Sequence, residues 1–364
     1  MQIKNAWNFW KPLVLKNNMT HSSIDDAFIA SIGNVFPGAS LLVQFKNKII
    51  FEKTYGFVTS ETPDKKITPE SLFDIASLTK PFVAVLFMRA GDQKLVNIKD
   101  SLASFFPEKK WQKITLMHLL NHSSGLPAWK PFYKNFNPTQ KINRKENKEK
   151  YLTLLAAIPL LYPPEKKIIY SDLGYMLLGF VLEKVYQKNL DDIFLEQIAK
   201  PLNLKNTSFS PNPSQCVPTE KCSWRKQLIQ GVVMDENAWA LGGAAGHAGL
   251  FSTAKDILTF LDALDNKNDL TKKYLEVPKT RDLSLPFFTL GFDTPSKNSS
   301  SGKYFSSISV GHLGYSGCSF WWDPIQNLKI ILLTNRVCPT RQNENIKIFR
   351  PMIHNLIWET LIST

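Results

Sequence analysis

Cysteine, histidine and long apolar runs are scarce in this sequence of 364 residues. Its 4 cysteines lack the paired spacing of zinc ligands, and its 6 histidines do not cluster near them. The longest strongly apolar run, residues 82–88, is far too short to cross a bilayer. Residues 1–20 carry dispersed lysines and no continuous apolar core of the secretory type. These absences disfavour a zinc module, a membrane span and an exported protein, and we expect a cytoplasmic location.

The cysteines also bear on the compartment. Cys216 and Cys222 are near enough in sequence to close a small loop by a disulfide, which an oxidising compartment would allow. Without an export signal, we predict that these two residues, together with Cys318 and Cys338, are thiols.

Positive charge is in excess. Lysine and arginine number 44 against 31 acidic residues, which gives a net charge of +13. Such a charge favours anionic partners, but no arginine-rich tract or nucleic-acid-reading motif is present, so we expect no nucleic-acid partner. Hydrophobic residues make up 43% of the chain, which is enough for a large core. The lysine-rich stretch 134–150 and the serine-rich stretch 296–303 are predicted to be exposed loops with solvated charges.

Strand patterns lie at both ends of the chain and helix patterns lie between them. Two β-rich runs flank Lys46-Asn47 and predict a hairpin, and three more occupy residues 303–335. Helical spacing marks residues 81–90, 116–121, 171–186 and 254–264, and an amphipathic stretch follows at 343–361. The simplest arrangement is an α/β fold of the α+β kind. One antiparallel sheet is formed from both termini and flanked by helices, and a mainly helical region is inserted between its strands.

A serine nucleophile is suggested by Ser77-Leu-Thr-Lys80. This spacing at a helix start places both side chains on one face, where a neutral lysine can deprotonate the hydroxyl for attack on a carbonyl. Burial and the helix N-terminus would both lower the lysine pKa. Three further Ser-x-x-Lys matches begin at Ser223, Ser252 and Ser300, but only Ser77 lies between apolar segments. The alternative is that Ser77 merely caps the helix.

Two more segments would complete an acyl-transfer site. Tyr170, in Tyr170-Ser-Asp172, is the candidate phenol for a proton relay, and Tyr133 in the lysine-rich stretch is its rival. His312-Leu-Gly314 lies in the C-terminal strand region, where a strand edge would supply an oxyanion N–H and the glycine would allow substrate to approach the backbone closely. A second His-x-Gly, at His247, follows a glycine-rich turn and is the poorer match.

Taken together, these motifs resemble those of the class C β-lactamase, penicillin-binding protein and family VIII esterase group of serine hydrolases. The resemblance spans roughly residues 24–360. Its marks, in order, are the segments 73–80, 119–127 (Leu-Leu-Asn-His-Ser-Ser-Gly-Leu-Pro), 170–172 and 311–317 (Gly-His-Leu-Gly-Tyr-Ser-Gly). It implies a β-lactamase/transpeptidase-like fold over residues 24–364 after an N-terminal extension, residues 1–23. The sheet subdomain would be residues 24–75 with 285–364, and the helical subdomain residues 76–284.

The resemblance also implies roles. Ser77 would be the acylated nucleophile, Lys80 and Tyr170 the general base pair, and the backbone N–H groups of Ser77 and Tyr315 the oxyanion hole, with no cofactor or metal. Two residues depart from the family pattern. Asp172 replaces a common asparagine and would raise the pKa of Lys80. His312 replaces the lysine of β-lactamases with a group that titrates near neutrality. Both changes argue against efficient β-lactam hydrolysis.

The glycine-rich segment 234–252 resembles a narrower branch, which includes penicillin-binding protein 4B-like hydrolases and N-acetylmuramyl-L-alanine amidases of cell-wall recycling. A segment of this kind serves either a site or close packing, and it makes Asp235, Glu236 and His247 further candidates beside Asp172, His312 and Gly314. We therefore expect a hydrolase of esters or amides with a small-molecule substrate. The alternatives are a muropeptide amidase or D,D-peptidase and an inactive binding protein. The oligomeric state is left open.

Overall fold

The central feature of the computed structural model is a seven-stranded sheet, and the structure describes residues 21–265, 275, 283 and 287–363. The strand order is β2-β1-β11-β10-β9-β8-β7, and every neighbouring pair is antiparallel. The strands are β1 Gly38–Phe45, β2 Lys48–Gly56, β7 Phe288–Thr289, β8 Phe292–Asp293, β9 Val310–Leu313, β10 Ser319–Asp323 and β11 Leu328–Thr334. The prediction of one antiparallel sheet from both ends of the chain is confirmed.

The hairpin of β1 and β2 turns where the sequence predicts it. Lys46 and Asn47 have φ angles of 49° and 62°, and two successive left-handed residues form the turn that suits the twist of a two-residue hairpin. β1 pairs with the whole of β11 through residues 39–45, and both strands are almost completely buried, as expected of central strands that are covered on both faces.

Helices cover both faces of this sheet. On one face pack α1, His21–Ser31, and α9, Ile346–Leu361; the ring of Phe28 stacks on Tyr55 of β2 at 4.2 Å. The other face contacts α2, Thr79–Asp92, and α8, Ala254–Asp265, which are joined by the stacked rings of Phe82 and Phe260 at 3.9 Å. The apolar spacing that predicts α8 and α9 therefore marks the faces that these helices bury.

The inserted region between β2 and β7 is mainly helical. The remaining α-helices among its described residues are α3 Leu116–Leu120, α4 Arg144–Ala157, α5 Asp172–Tyr186, α6 Leu190–Phe194 and α7 Glu236–Ala240. Two short sheets accompany them, β3 Phe73–Asp74 with β6 Phe251–Ser252 and β4 Lys221–Cys222 with β5 Gln227–Leu228. The four helices predicted here are present with ends within two residues of those expected. The subdomain boundaries stay a prediction.

One local prediction is wrong. Residues 144–150 of the supposed loop 134–150 form the first half of α4. The Asn143 side chain caps this helix by accepting the Glu146 N–H, and Tyr151 and Leu155 are buried on its inner face. Salt bridges Arg144–Asp191, at 2.9 Å, and Lys148–Glu183, at 2.6 Å, join it to its neighbours. The local sequence is polar and suggests a loop, because the residues that stabilise the helix, Asp191 and Glu183, lie far away in the sequence.

Three other expectations can be compared with the structure. Residues 296–303 do form turns, although Ser301 within them is fully buried. All four cysteines are free thiols, as predicted, and all four are also buried. Within the described part of the chain, no helix combines the length and apolar character needed to cross a membrane.

Candidate active site

Ser77 and Lys80 lie where the chain leaves β3 and enters α2. A short 3₁₀ turn, Ala76–Leu78, precedes the helix, and Ala76 has a left-handed φ of 47°. This conformation is unfavourable for alanine, and the Asp74 carboxylate stabilises it by accepting the Ala76 N–H at 2.9 Å. Ser77 makes no capping hydrogen bond, and the residue before α2 is Leu78. The alternative of Ser77 as a plain helix cap is therefore wrong.

Lys80 is completely buried and points its ammonium group at the serine. Its Nζ lies 2.8 Å from Ser77 Oγ, 3.0 Å from the carbonyl oxygen of His247 and 2.7 Å from Asp172 Oδ1. Burial lowers the pKa of Lys80, while Asp172 and Asp235 act in the opposite direction. The predicted effect of Asp172 is confirmed in sign, but burial outweighs it. A lysine with a lowered pKa is a better general base near neutral pH.

Tyr170 completes the cluster. The Ser77 side chain lies close enough to its hydroxyl to act on its pKa, in the lowering direction, and Lys80 Nζ lies 4.7 Å from the centre of its ring. Burial raises the pKa of Tyr170 well above its ordinary value, and Asp172 adds to this. The phenol is therefore protonated at neutral pH. It can relay a proton by donating its own and accepting another, but it cannot serve as the initial general base. The rival Tyr133 packs against Trp224 at 4.9 Å and lines neither cavity at Ser77.

Tyr170 is held by α5, which begins directly after it. Ser171 caps α5: its hydroxyl accepts the Gly174 N–H at 3.2 Å and donates to the Pro127 carbonyl at 2.7 Å. Asp172, the first residue of α5, points to Lys80. The order Tyr-Ser-Asp thus places the phenol, the helix cap and the lysine partner on one short turn.

The two backbone N–H groups predicted to form the oxyanion hole, those of Ser77 and Tyr315, both lie near the nucleophile turn. The N–H of Ser77 is at the start of the turn Ala76–Leu78, where helical N–H groups lack an acceptor within the helix. Tyr315 follows β9, and among the described residues no acceptor is found for its N–H. A Cβ built on Gly314 would lie 2.6 Å from the Ile75 carbonyl oxygen. Gly314 therefore lets β9 approach the nucleophile turn closely, rather than opening space for substrate as its glycine suggests.

His312 lies on β9 close to this cluster. Burial, assisted by the charge of Lys80, lowers the pKa of His312 to about 3. Its Nδ1 lies 2.9 Å from the Leu313 carbonyl, and its ring centre is 6.0 Å from that of Tyr170. The expectation that this position titrates near neutrality is wrong, because desolvation and a nearby cation both disfavour the imidazolium. His312 stays neutral where β-lactamases carry a cation.

Asp235 and His247 form a pair on the opposite wall. His247 Nε2 lies 2.9 Å from Asp235 Oδ1, and the same oxygen accepts the Ala238 N–H at 2.7 Å at the start of α7. Burial opposes ionisation of Asp235, but His247, the Ala238 N–H and Lys80 outweigh it and lower its pKa to about 2. The His247 loop reaches the site because β6 pairs with β3, the strand that leads to Ser77.

The glycine-rich segment serves packing as well. A Cβ on Gly246 would collide with the Tyr175 carbonyl oxygen of α5. The loop can therefore lie against α5 only with glycine at this position. The packing interpretation is therefore supported at Gly246, while its neighbour His247 lines the smaller cavity beside Ser77 and its role in the site stays a prediction.

Ser77 lies between two cavities of about 380 Å³ and 440 Å³, which also share Tyr170 and Tyr315. The smaller cavity is lined by Asp172, Asp235 and Glu236 together with Arg341 and His247, and the larger by Arg336, Lys347 and Arg350 together with Asp293, Glu344 and His312. Carboxylates predominate in the first and cations in the second, but a substrate bound at Ser77 meets charges of both signs on each side.

His122 and Asp74 are the functional candidates that sequence reasoning missed. His122 packs its ring on Tyr170 at 4.6 Å, and Asp74 joins the nucleophile turn to Met234, whose N–H it accepts at 2.7 Å. Both residues lie inside the segments 73–80 and 119–127 that carry the family resemblance. Their position inside these segments could have marked both residues as candidates. Their roles could not be predicted, because the residues that they contact lie in distant parts of the chain.

One cluster in the described ranges has a composition suited to a metal, namely Glu220, Cys222 and Glu236. Arg341 binds both carboxylates: its Nε donates to Glu220 at 2.6 Å, and one terminal nitrogen lies 2.7 Å from Glu236. The Arg341 guanidinium thus already pairs with the two carboxylates that a metal ion would need as ligands. The cluster is better described as an ion-pair network on the rim of the smaller cavity.

The fold and this arrangement define a serine hydrolase of the β-lactamase and transpeptidase type. An antiparallel sheet from both chain ends meets a helical insertion, and a serine, a lysine and a tyrosine converge at their junction. The chain belongs to the Beta-lactamase family, whose sequence profile matches residues 24–349.

Curated relatives are similar over most of their length. The chain is 31% identical to an N-acetylmuramyl-L-alanine amidase of Bacillus subtilis, with 89% of this chain and 83% of the relative covered. It is 30% identical to a putative D-alanyl-D-alanine carboxypeptidase of Salmonella agona, with 83% and 79% covered.

Solved structures share the fold. The hydrolase EstCE1, described as having promiscuous acyltransferase activity, matches with a TM-score of 0.73 at 20% identity, covering 92% of this chain and 97% of that one. A β-lactamase/D-alanine carboxypeptidase from Yersinia pestis matches with a TM-score of 0.68 at 21% identity, covering 92% and 98%. The predicted β-lactamase/transpeptidase-like fold is confirmed.

Proposed function

We propose that this serine hydrolase cleaves an ester or amide through an acyl-enzyme on Ser77. The observation that carries the proposal is the contact of Ser77 Oγ with Lys80 Nζ at 2.8 Å, in a place where Tyr170 lines the same two cavities as Ser77. Neutral Lys80 accepts the hydroxyl proton as Ser77 attacks the carbonyl. The N–H groups of Ser77 and Tyr315 stabilise the negative charge that forms on the carbonyl oxygen.

The second half of the reaction uses the same groups. The proton held by Lys80 passes, with Tyr170 as relay, to the leaving alcohol or amine, and the ester to Ser77 remains. Water then attacks this ester and gives a proton to Lys80, which passes it to Ser77 Oγ as the acid leaves, so that free Ser77 and neutral Lys80 are restored. The neutral His312 and the carboxylate of Asp172 support the expectation of weak β-lactam turnover.

Covalent labelling tests the proposal. We expect a fluorophosphonate probe or an activated ester to leave a mass adduct on the peptide that contains Ser77, and Ser77→Ala to abolish both adduct and turnover. Ser223→Ala is the matched control, because Ser223 also stands three residues before a lysine. Absence of any adduct on the folded wild-type protein would favour an inactive binding protein instead.

A muropeptide amidase or D,D-peptidase is the second candidate. It is favoured by the similarity to the named amidase across 89% of this chain and by the position of Asp235 and His247 beside Ser77. Muramyl peptides and peptides ending in D-alanyl-D-alanine, assayed beside nitrophenyl esters, separate the possibilities. Turnover of esters with no cleavage of any muropeptide would remove this candidate.

The cytoplasm remains the proposed location. Four free, buried cysteines support it, since unpaired thiols are usual in a reducing compartment. Fractionation of the source cells with antibody detection tests this, and recovery outside the cytoplasmic fraction would contradict it.

A further inference from the structure

Asp74 is a buried carboxylate that joins three segments around the nucleophile. It is 2% exposed, and its two oxygens accept one backbone N–H each: Oδ1 accepts that of Ala76 at 2.9 Å, and Oδ2 accepts that of Met234 at 2.7 Å. The thiol of Cys318, which directly precedes β10, lies 3.7 Å from the Asp74 carbonyl oxygen. Asp74 therefore contacts the nucleophile turn, Ala76–Leu78, the loop before α7 and the start of β10.

Arg225 meets Asp74 through a peptide group rather than directly. Its Nη1 donates to the Val233 carbonyl at 2.8 Å, and its Nη2 donates to the Met234 carbonyl. The Val233 carbonyl and the Met234 N–H belong to one peptide group, so the guanidinium binds one end of that group and the Asp74 carboxylate binds the other. The peptide dipole points its oxygen at the cation and its N–H at the anion, which strengthens both contacts. We call this group the bridge peptide.

Both charges that hold the bridge peptide are buried. Arg225 is 8% exposed, against 2% for Asp74, and its guanidinium lies 5.7 Å from the centre of the Trp239 ring. A buried charge is costly unless hydrogen bonds and an opposite charge compensate it. A shift of the bridge peptide would remove such compensation from both side chains at once, so its position is closely defined.

The two segments that Asp74 joins both lead into the active site. Asp235 directly follows the bridge peptide, caps α7 and lines the smaller cavity with Ser77. Ala76 directly precedes Ser77 and has a left-handed φ of 47°, a strained conformation that persists only where surrounding contacts hold it. Loss of the Asp74 carboxylate would therefore displace Ser77 and Asp235 relative to each other, although both side chains would remain.

We propose that Asp74 is a positioning residue for the hydrolase reaction, and that Arg225 holds it in register through the bridge peptide. Together they fix the nucleophile turn against the loop that carries Asp235. This inference rests on the proposed function, since the reaction that it concerns is acylation of Ser77. It adds two residues that line neither cavity at Ser77 and so act through others.

The charge on Asp74 distinguishes positioning from simple packing. Burial raises the pKa of Asp74 to about 6, although its two N–H contacts and Arg225 act in the opposite direction and Asp235 acts in the same one. Two thiols also face it, those of Cys216 and Cys318, and they stay neutral because burial raises their pKa to about 12 and about 11. Asp74 is therefore a charged, strong acceptor only above about pH 6.

Activity and stability should respond to this carboxylate in opposite ways. The folded-state pKa of Asp74 lies above the ordinary 3.8, so its contribution to stability is fully present below pH 3.8 and is lost as the pH rises through about 6. Asp74→Asn resembles the neutral form. We expect this variant to melt at the same or a higher temperature than wild type at pH 8, and yet to be the slower enzyme.

Kinetics with nitrophenyl acetate test the role of Asp74. At pH 8, Asp74→Asn should lower kcat about 10- to 100-fold with little change in KM, because a displaced nucleophile costs rate. Labelling of Ser77 by the fluorophosphonate probe should slow in parallel. The ratio of wild-type kcat to variant kcat should approach one as the pH falls well below about 6, since both proteins then carry a neutral group.

Asp256→Asn is the matched control. Asp256 is 8% exposed, its carboxylate accepts the Asn206 N–H at 2.8 Å, and burial raises its pKa as well. It lines neither cavity at Ser77, so kcat should stay within about twofold of wild type. A loss of kcat in this control as large as that in Asp74→Asn would overturn the inference.

A double-mutant cycle tests the link to Arg225. Arg225→Met should lower kcat about as much as Asp74→Asn, and Arg225→Lys, which keeps the charge, should lose less. The double variant of Asp74→Asn and Arg225→Met should be much faster than the product of the two single losses predicts, because both changes break one chain of contacts. Independent losses, an unchanged kcat in Asp74→Asn, or an equal loss at every pH would overturn the inference and leave the proposed function standing. Wild-type protein that takes no label at Ser77 and hydrolyses no ester would overturn both.

Discussion

His122 holds Tyr170 from three directions. Their ring centres are 4.6 Å apart, and the two residues that flank Tyr170 are both bound to His122. The His122 carbonyl accepts the Ile169 N–H at 2.9 Å, and its Nδ1 accepts the Ser171 N–H at 3.0 Å. Burial, assisted by the nearby Lys80, keeps the pKa of His122 well below its ordinary value. The ring is therefore neutral and acts as an acceptor that positions the phenol.

We expect His122→Ala to lower kcat about 10- to 100-fold with a small change in KM, because a displaced catalytic group costs rate. The buried Ser171 N–H would also lose its acceptor, at a cost of about 1–3 kcal/mol in stability. Steady-state kinetics and thermal melting measure the two effects.

His122→Asn is the matched variant for this prediction. His122 has a left-handed φ of 59°, which asparagine tolerates better than most residues, and the amide oxygen can replace Nδ1 as acceptor. This variant should recover most of kcat. Equal kcat in wild type and His122→Ala would contradict the positioning role.

The salt bridge between Lys80 and Asp172 predicts a pH effect. Asp172 raises the pKa of Lys80 against the larger lowering by burial, so Asp172→Asn should lower that pKa further. Neutral Lys80 would then exist at lower pH, and the acid limb of the kcat/KM profile should move down by about one pH unit or more. Asp191→Asn, which removes a carboxylate that pairs with Arg144 instead, should leave the limb in place. An unmoved limb in Asp172→Asn would exclude Lys80 as the titrating base.

Asp235 predicts a dependence of stability on pH. Its folded-state pKa of about 2 lies below the ordinary value of 3.8, so the ionised form stabilises the fold at neutral pH. This contribution, about 2 kcal/mol from the size of the shift, is fully present well above pH 4 and is lost as the pH falls toward 2. Asp235→Asn keeps a capping oxygen for α7 and removes only the charge.

Urea unfolding of wild type and Asp235→Asn at several pH values measures this contribution. We expect the variant to be less stable by about 2 kcal/mol at pH 7, with about half of that difference remaining at pH 3. A difference that does not depend on pH would show that the Asp235–His247 contact stabilises through hydrogen bonding alone.

The sequence predicts features that depend on neighbouring residues, such as turns, and residues that belong to a recognisable motif. The turn at Lys46-Asn47 follows from residue type, and Ser77, Lys80 and Tyr170 could be grouped because each stands in an ordered motif. The helix that begins at Arg144 was missed, since its polar sequence has no apolar stripe and its stability comes from distant salt bridges.

The protonation states of the site residues could not be predicted from the sequence, because they depend on the three-dimensional structure. His312 is an ordinary histidine in sequence, and only burial beside Lys80 keeps it neutral. Likewise, nothing in the segment that contains His122 indicates that residues 169–171 return to meet it. The neutral state of His312 and the position of His122 beside Tyr170 both depend on contacts between segments that are far apart in the sequence. Local sequence patterns do not indicate such contacts.

Gly314 offers a last test of how closely β9 must approach Ser77. A Cβ at this position would lie 2.6 Å from the backbone oxygen of Ile75, and a backbone atom cannot move aside as a flexible side chain can. Gly314→Ala should therefore push β9 away from the turn that carries Ser77, and with it the Tyr315 N–H. We expect kcat to fall about 100-fold or more, as on loss of one oxyanion donor, and labelling of Ser77 by the fluorophosphonate probe to slow in parallel.

Gly174→Ala is the matched control for the same substitution. Gly174 lies in α5, and a Cβ there would have ordinary contacts of 3.5–3.9 Å with Leu119. Alanine is the better helix former, so this variant should keep its activity and melt at the same or a higher temperature. If Gly314→Ala behaved like Gly174→Ala, with normal kcat and normal labelling, the strand edge would not need to lie against the nucleophile turn. The assignment of the Tyr315 N–H to the oxyanion hole would then fall, while the contact between Ser77 and Lys80 would be unaffected.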